Sequence, residues 1–238
     1  GLFKDVPVAI GSFLIASFVA RIGYQKIMVI ALSITSLGLI QMWAGNSFVS
    51  SQILFAIVGS SFALIKVAVY GSIGEVTSGE KEHNALMSSV EGTFMFGIAL
   101  AYFLFPAFNS ETDPSAWLNV YLLLTGLVLV AVAFLARIPE LPKEENSKPL
   151  SEEFSAMLGL IAKLLVVVFV FSAFLYVMVE QGIMTWLPTF NEKVLALSES
   201  NSIRMASILA ITLGLGRILG GRLSERFHWT LVISGSII

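Results

Sequence analysis

The chain has 238 residues, 56% of them hydrophobic and only 13% charged, with 18 Phe, no Cys and a formal net charge of −2. That composition excludes an ordinary water-soluble domain and points to a lipid environment. The lack of Cys excludes disulfides, thiolate metal ligands and a Cys nucleophile, and no cofactor, metal or nucleic-acid partner is expected.

Apolar segments follow one another near 6–20, 27–44, 49–73, 85–108, 116–137, 157–187, 201–221 and 228–238, which makes seven spans and a partial eighth. Between Lys26 and Lys66 the 39 positions hold no charged residue, room for two crossings of about 20 residues each. The runs are continuous rather than alternating, as helices and not barrel strands require, and a lone helix satisfies its own backbone in lipid. The fold class is therefore all-α, a polytopic transmembrane helical bundle with the lipid bilayer as its partner.

Lys and Arg in the short connections set the orientation. If the 21–26 loop faces the cytoplasm, that side also carries Lys81, Arg137, Lys143, Lys148, Lys163, Arg222 and Arg226, against Lys4, Lys193 and Arg204 outside. The stretch 138-IPELPKEENSKPLSEEFS-155 has three prolines and mixed charge, too polar for the bilayer. Residues 140–156 are expected to form a cytoplasmic linker between an N-terminal bundle, 1–139, and the start of a C-terminal bundle, 157–238. A plasma (inner) membrane location is expected. No basic n-region with a cleavage site precedes the first span, so no signal peptide is expected to be removed.

One motif occurs twice. Residues 16-ASFVARIGYQK-26 close the first span and 221-GRLSERFHW-229 close the seventh, and Ala16, Ala20 and Arg21 align with Gly221, Glu225 and Arg226 at an offset of 205. Each copy ends one helix and enters the next through a tight turn. A cation there can bond the carbonyls or acid of a neighbouring helix and act as a latch, or it can simply obey the charge bias of cytoplasmic loops.

These residues resemble the major facilitator superfamily, whose signature loop reads Gly-x-x-x-Asp-Arg-x-Gly-Arg-Lys/Arg between the second and third helices of each half. The first copy keeps Arg21, Gly23 and a later Lys26 but has Ala20 for the acid, and the second keeps Gly221, Glu225 and Arg226 but has His228 for the glycine. The resemblance implies a twelve-helix, six-plus-six parent in which these spans are helices two to nine. The chain is then expected to be a fragment, and Arg21, Gly23, Lys26, Gly221, Glu225 and Arg226 its gating loops. The stretch 175-LYVMVEQGIMTWLPTF-190 also looks like the seventh helix, Tyr-Val-x-x-Glu…Trp-Leu-Pro, of the fucose-permease-like group of proton-coupled sugar transporters. In that group the fourth helix usually carries an acid, where this sequence has Lys66.

Four charges fall within spans: Lys66, Glu91, Glu180 and Arg217. Such charges are costly unless they face a partner or a water-filled cavity. Lys66 and Glu91 lie equally far on either side of a turn at 78–79, so an antiparallel hairpin would bring them to one depth, and an intramembrane ion pair is expected. Its role is either a structural clamp or a bond remade by substrate or proton.

Glu180 is the proton-coupling candidate, because an apolar setting favours the neutral form of a carboxylic acid; otherwise it bonds a helix break near Gly182, with Trp186 as an interfacial anchor. Arg217 lies among Gly214, Gly216, Gly220 and Gly221, which allow close helix approach. It is expected either to snorkel to the cytoplasm or to bind substrate, with Tyr176, Gln181 and Trp186 as the other substrate-binding candidates. Phe94, Phe96, Tyr102 and Asn191 could also stack on or hydrogen-bond a sugar.

Enzyme signatures are missing: His83 and His228 lie at loop edges, and there is no His-Glu-x-x-His, Gly-x-Ser-x-Gly or phosphate-loop pattern. The expected function is alternating-access secondary transport, the proton-coupled uptake of a sugar or similar small polar solute by a monomer. The alternatives are efflux of drugs or metabolites, or transport of an organic anion on Lys66 or Arg217.

Overall fold

The computed structural model describes residues 18–19, 21–110, 112–140, 152, 155, 158–160, 163–228, 231–232 and 234–235, without the side chains of Glu199, Ser200 and Glu225. The described elements are all helical: α1 (Tyr24–Gly45), α2 (Phe48–Val76), α3 (Glu80–Ala107), a 3-10 turn (Ala116–Leu118) leading into α4 (Asn119–Leu135), α5 (Leu164–Lys193) and α6 (Glu199–Arg226). Among the described residues, six helical stretches are long and apolar enough to cross a membrane. Most of the span expected at 6–20, most of the 140–156 linker and most of the span expected at 228–238 lie outside the described residues.

Local chemistry sets the helix ends. Asn46 adopts a left-handed conformation at the end of α1, and the Ser47 hydroxyl accepts from the Ser50 amide at 3.1 Å to start α2. The α3 start carries Glu80 and Glu82 in its first turn, where the helix dipole favours acids, and Glu82 accepts from the Ser78 amide at 2.9 Å. Ser198 caps α6 by accepting from the Asn201 amide at 3.4 Å.

Helix α5 departs from expectation at both ends, running from Leu164 rather than 157 and on to Lys193. Lys163 is extended at the N-cap, so the helix proper starts one residue after the charge. Glu180 therefore sits near the middle of α5. The expected break near Gly182 does not occur, because the helix continues through both Gly182 and Pro188.

The helices fall into two compact units. In the first, α1 packs on α2 and α4 around Leu39, Met42, Leu54 and Leu118, with a second cluster of Val19, Ile27 and Ala68. Small residues set these approaches: the ring of Tyr24 lies against Gly71 and the side chain of Ile57 against Gly38. The second unit holds α3, α5 and α6, joined through Met95 and Ala99 of α3, Met184 of α5 and Ala210 of α6. Helix α3 thus shares its core with two helices that follow the 140–156 stretch. The expected division into 1–139 and 157–238 concerns which segments move together.

Candidate functional site: an arginine between two carboxylates

The second unit contains one crossing where backbones nearly touch. A Cβ built on Gly214 would stand 3.0 Å from the Gly92 carbonyl oxygen and 3.2 Å from Met95 Cβ, and one built on Gly221 would stand 2.6 Å from Ser88 Cβ. Residue numbers fall along α3 as they rise along α6, so the two helices run antiparallel at this seam. Glycine, having no side chain, permits so close an approach. Two consequences follow for polar groups: Glu91 adjoins Gly92, and Arg217 stands between Gly214 and Gly221, so short side-chain reach suffices to join them.

Arg217 Nη1 donates to Glu91 Oε2 at 2.9 Å. Its other terminal nitrogen, Nη2, donates to both Glu180 oxygens at 2.9 and 2.7 Å and to the Tyr176 hydroxyl at 3.4 Å. One guanidinium from α6 thereby ties a carboxylate of α3 to a carboxylate and a phenol of α5. Glu180 is the most enclosed member, with its side chain 7% exposed, against 21% for Arg217 and 23% for Glu91. Charge-assisted bonds of this kind are stronger than neutral ones, and a buried charge demands them. With both acids ionised the cluster carries two negative charges against one positive.

A cavity of about 190 Å³ adjoins the cluster, lined by Tyr176, Val179, Glu180 and Ile183 of α5 and Leu209 and Leu213 of α6. Tyr102 closes the packing on the α3 side, its hydroxyl donating to the Met184 carbonyl at 3.5 Å.

The structure brings together three of the four intramembrane charges, with Tyr176. Arg217 does not snorkel: it turns inward to two acids, because they lie within reach across the glycine seam. Gln181 and Trp186 are exposed, on other faces of α5 than Glu180. Asn191 is buried, and its Nδ2 finds no partner among the described residues.

Lys66, in the first unit, lies 5.5 Å from the Phe62 ring and 5.3 Å from the Tyr70 ring, one helical turn away on either side. Glu91 belongs to the second unit, and the Lys66–Glu91 pair stays an expectation.

Of the gating-loop residues, Gly23 holds φ 105°, which its lack of a Cβ permits. Lys26 pairs with Glu140 at 2.9 Å, both side chains well exposed, so the pair adds little stability. Gln25, which the sequence reading missed, donates to the Leu135 and Ile138 carbonyls at 2.6 Å each and so caps the end of α4. Helix α6 runs through Arg222 to an exposed Arg226, so the second loop begins later than expected. Arg21 is partly buried, Gly221 is the seam residue facing Ser88, and the Glu225 side chain lies outside the described residues.

Known proteins resemble the chain in two comparisons. A family model described as Major Facilitator Superfamily matches residues 6–238. The chain is also 25% identical, over 247 aligned positions, to the citrate-proton symporter of Klebsiella pneumoniae, an alignment taking in 92% of this chain and 52% of that protein. The chain thus spans about half the length of the curated relative it matches.

Proposed function

Because this chain belongs to the Major Facilitator Superfamily, and so to a family of multi-pass membrane transporters rather than enzymes, we propose that the protein is a proton-coupled secondary transporter working by alternating access. Its coupling site is the cluster of Glu91, Glu180, Arg217 and Tyr176. The observation that carries this reading is the position of Arg217, held by two carboxylates from different helices inside membrane-spanning segments.

Glu180 is enclosed against its guanidinium, and a buried carboxylate left without its partner is several kcal/mol less favourable than a paired one (roughly 3–5). If a cargo draws Arg217 away, Glu180 takes up a proton; if Glu180 is protonated first, Arg217 is left with one carboxylate and a free coordination site. Proton and cargo therefore load together. Such a coupling can shift the balance between two conformations only by the difference in affinity between them.

Glu91 precedes the 140–156 linker and Glu180 and Arg217 follow it. If the sequence halves 1–139 and 157–238 rock against each other, the single Arg217–Glu91 bond must break in each cycle while the two-oxygen Arg217–Glu180 bond travels intact. The cytoplasmic-side latches proposed for this motion are the loops of Arg21, Gly23 and Lys26 and of Gly221, Glu225 and Arg226, with the Lys66–Glu91 pair as a further tie. An inner-membrane location, a monomeric state and a cytoplasmic linker belong to the same proposal.

A small organic acid is the favoured cargo. Arg217 supplies a cation matched to a carboxylate, and the relative that aligns with nearly the whole chain is named a citrate-proton symporter. A sugar is the second reading, drawn from the 175–190 stretch and the Tyr176 hydroxyl in the cluster.

The test is uptake by the full-length protein in proteoliposomes with an inward proton gradient, using labelled organic acids, L-fucose and glucose. Gradient-driven uptake of an acid that falls at least tenfold in Glu180→Gln is the expected result. Uptake of every compound at a rate indifferent to the gradient would refute the coupling.

A further inference from the structure

A groove on the first unit joins an apolar surface to a pair of opposite charges. It lies between the start of α1 and the end of α4, has a volume of about 370 Å³, and is walled by Ile22, Val29, Ile30 and Ala136. Ile22, Lys26 and Ile30 recur every four residues and are all exposed, so they form one outward stripe. Gln25 bonds the Leu135 and Ile138 carbonyls and so holds the two walls together. Lys26 and Glu140 also line the groove, with Nζ and Oε1 2.9 Å apart.

The two charges are rooted at different levels. Lys26 belongs to the first turn of α1, whereas Glu140 lies beyond the end of α4 at Leu135. The cation therefore springs from nearer the hydrocarbon and the acid from nearer water. An ion pair so exposed opens at small cost, and each charge can then take a new partner. A headgroup that matches this order has its phosphate next to the acyl chains and a hydrogen-bonding cation beyond it.

We propose that the groove seats a bilayer phospholipid with a primary-amine headgroup, phosphatidylethanolamine, in the cytoplasmic leaflet given by the orientation that the loop charges favour. Its phosphate takes the Lys26 ammonium, its own ammonium donates to Glu140, and an acyl chain lies along the Ile22–Ile30 stripe. Both polar contacts are charge-assisted hydrogen bonds. A quaternary choline headgroup has no N–H to give Glu140, and an anionic glycerol headgroup offers that acid no cation. An occupant already anchored in the bilayer needs no enclosing wall, which suits a groove whose stripe residues are exposed. Arg137, next to Ala136, is exposed but does not line the groove. Nothing in this inference depends on proton coupling or on the cargo.

Photolabelling of the full-length protein in phosphatidylcholine nanodiscs tests it. Three probes are compared at equal dose, phosphatidylethanolamine, phosphatidylcholine and phosphatidylglycerol, each with a diazirine in its acyl chain. Peptide mass spectrometry reads the label on 22–30 and 136–140, normalised to the label on the exposed residues of α5 in the same sample. The phosphatidylethanolamine probe should label the two segments roughly two- to fivefold more than either other probe, the discrimination that an exposed charge pair supplies. Glu140→Gln should erase its lead over phosphatidylcholine, and Lys26→Gln should lower labelling by all three. Arg137→Gln should leave the lead intact. Equal labelling by the three probes, a lead for phosphatidylglycerol, or a phosphatidylethanolamine lead that survives Glu140→Gln overturns the proposal.

Discussion

Arg217 bears the heaviest electrostatic duty at the scale of single residues. Both acids it holds lie in membrane-spanning helices, and Glu180 is nearly enclosed, so the burial cost of each group is offset by the others. Replacing Arg217 by Met removes the cation and leaves Glu180 buried and unpaired, a loss of roughly 3–5 kcal/mol. Thermal unfolding in detergent should therefore show a markedly lower Tm for Arg217→Met. The same change combined with Glu91→Gln and Glu180→Gln, which removes every charge of the cluster, should recover most of the loss, because the penalty comes from the orphaned carboxylates rather than from missing bonds. Equal destabilisation of the single and triple variants would mean that Arg217 contributes by packing alone. Lys66 offers a contrast, since its aromatic neighbours come from its own helix and could be read directly from the sequence spacing.

At the scale of elements, the seam between α3 and α6 decides whether the cluster can exist. Gly214→Ala would bring a methyl group to 3.0 Å from the Gly92 carbonyl, pushing the helices apart and lengthening the Arg217–Glu91 bond. The expected cost is about 1–3 kcal/mol. Gly216, two positions along, faces open space with nothing within 4 Å of a built Cβ; Gly216→Ala should hold or raise stability by up to about 1 kcal/mol through helix propensity. Matched Tm measurements on the two variants check this, and equal shifts would contradict the seam.

The glycines around Arg217 were legible as a sign of close approach, but not the partner. Glu91 and Arg217 are 126 residues apart, and which helix fills a glycine groove depends on the crossing, which no local pattern encodes. Span existence was legible because uncharged runs of membrane length are unambiguous, as between Lys26 and Lys66. The start of α5 was not, since residues 158–160 are apolar and themselves helical, and the extended Lys163 alone marks where α5 begins. Gln25 escaped notice because an amide next to a loop has no periodicity, and its role emerges only where it meets the carbonyls that end α4.

For the whole molecule, the central claim is that proton and cargo movement are tied through Glu180. Family and multi-pass character were legible from the doubled loop and the run of spans, whereas the partners of Arg217 come from helices far apart in sequence. The most direct measurement reads the lumenal pH of proteoliposomes carrying the full-length protein, using a trapped dye, as a small organic acid is added outside. To exclude passive entry of the neutral acid, the signal is taken relative to protein-free vesicles. The account predicts cargo-driven acidification by the wild type. In Glu180→Gln, whose amide imitates the protonated acid, that acidification should be lost while exchange of labelled for unlabelled cargo across the membrane is retained. Undiminished proton entry in Glu180→Gln would contradict it.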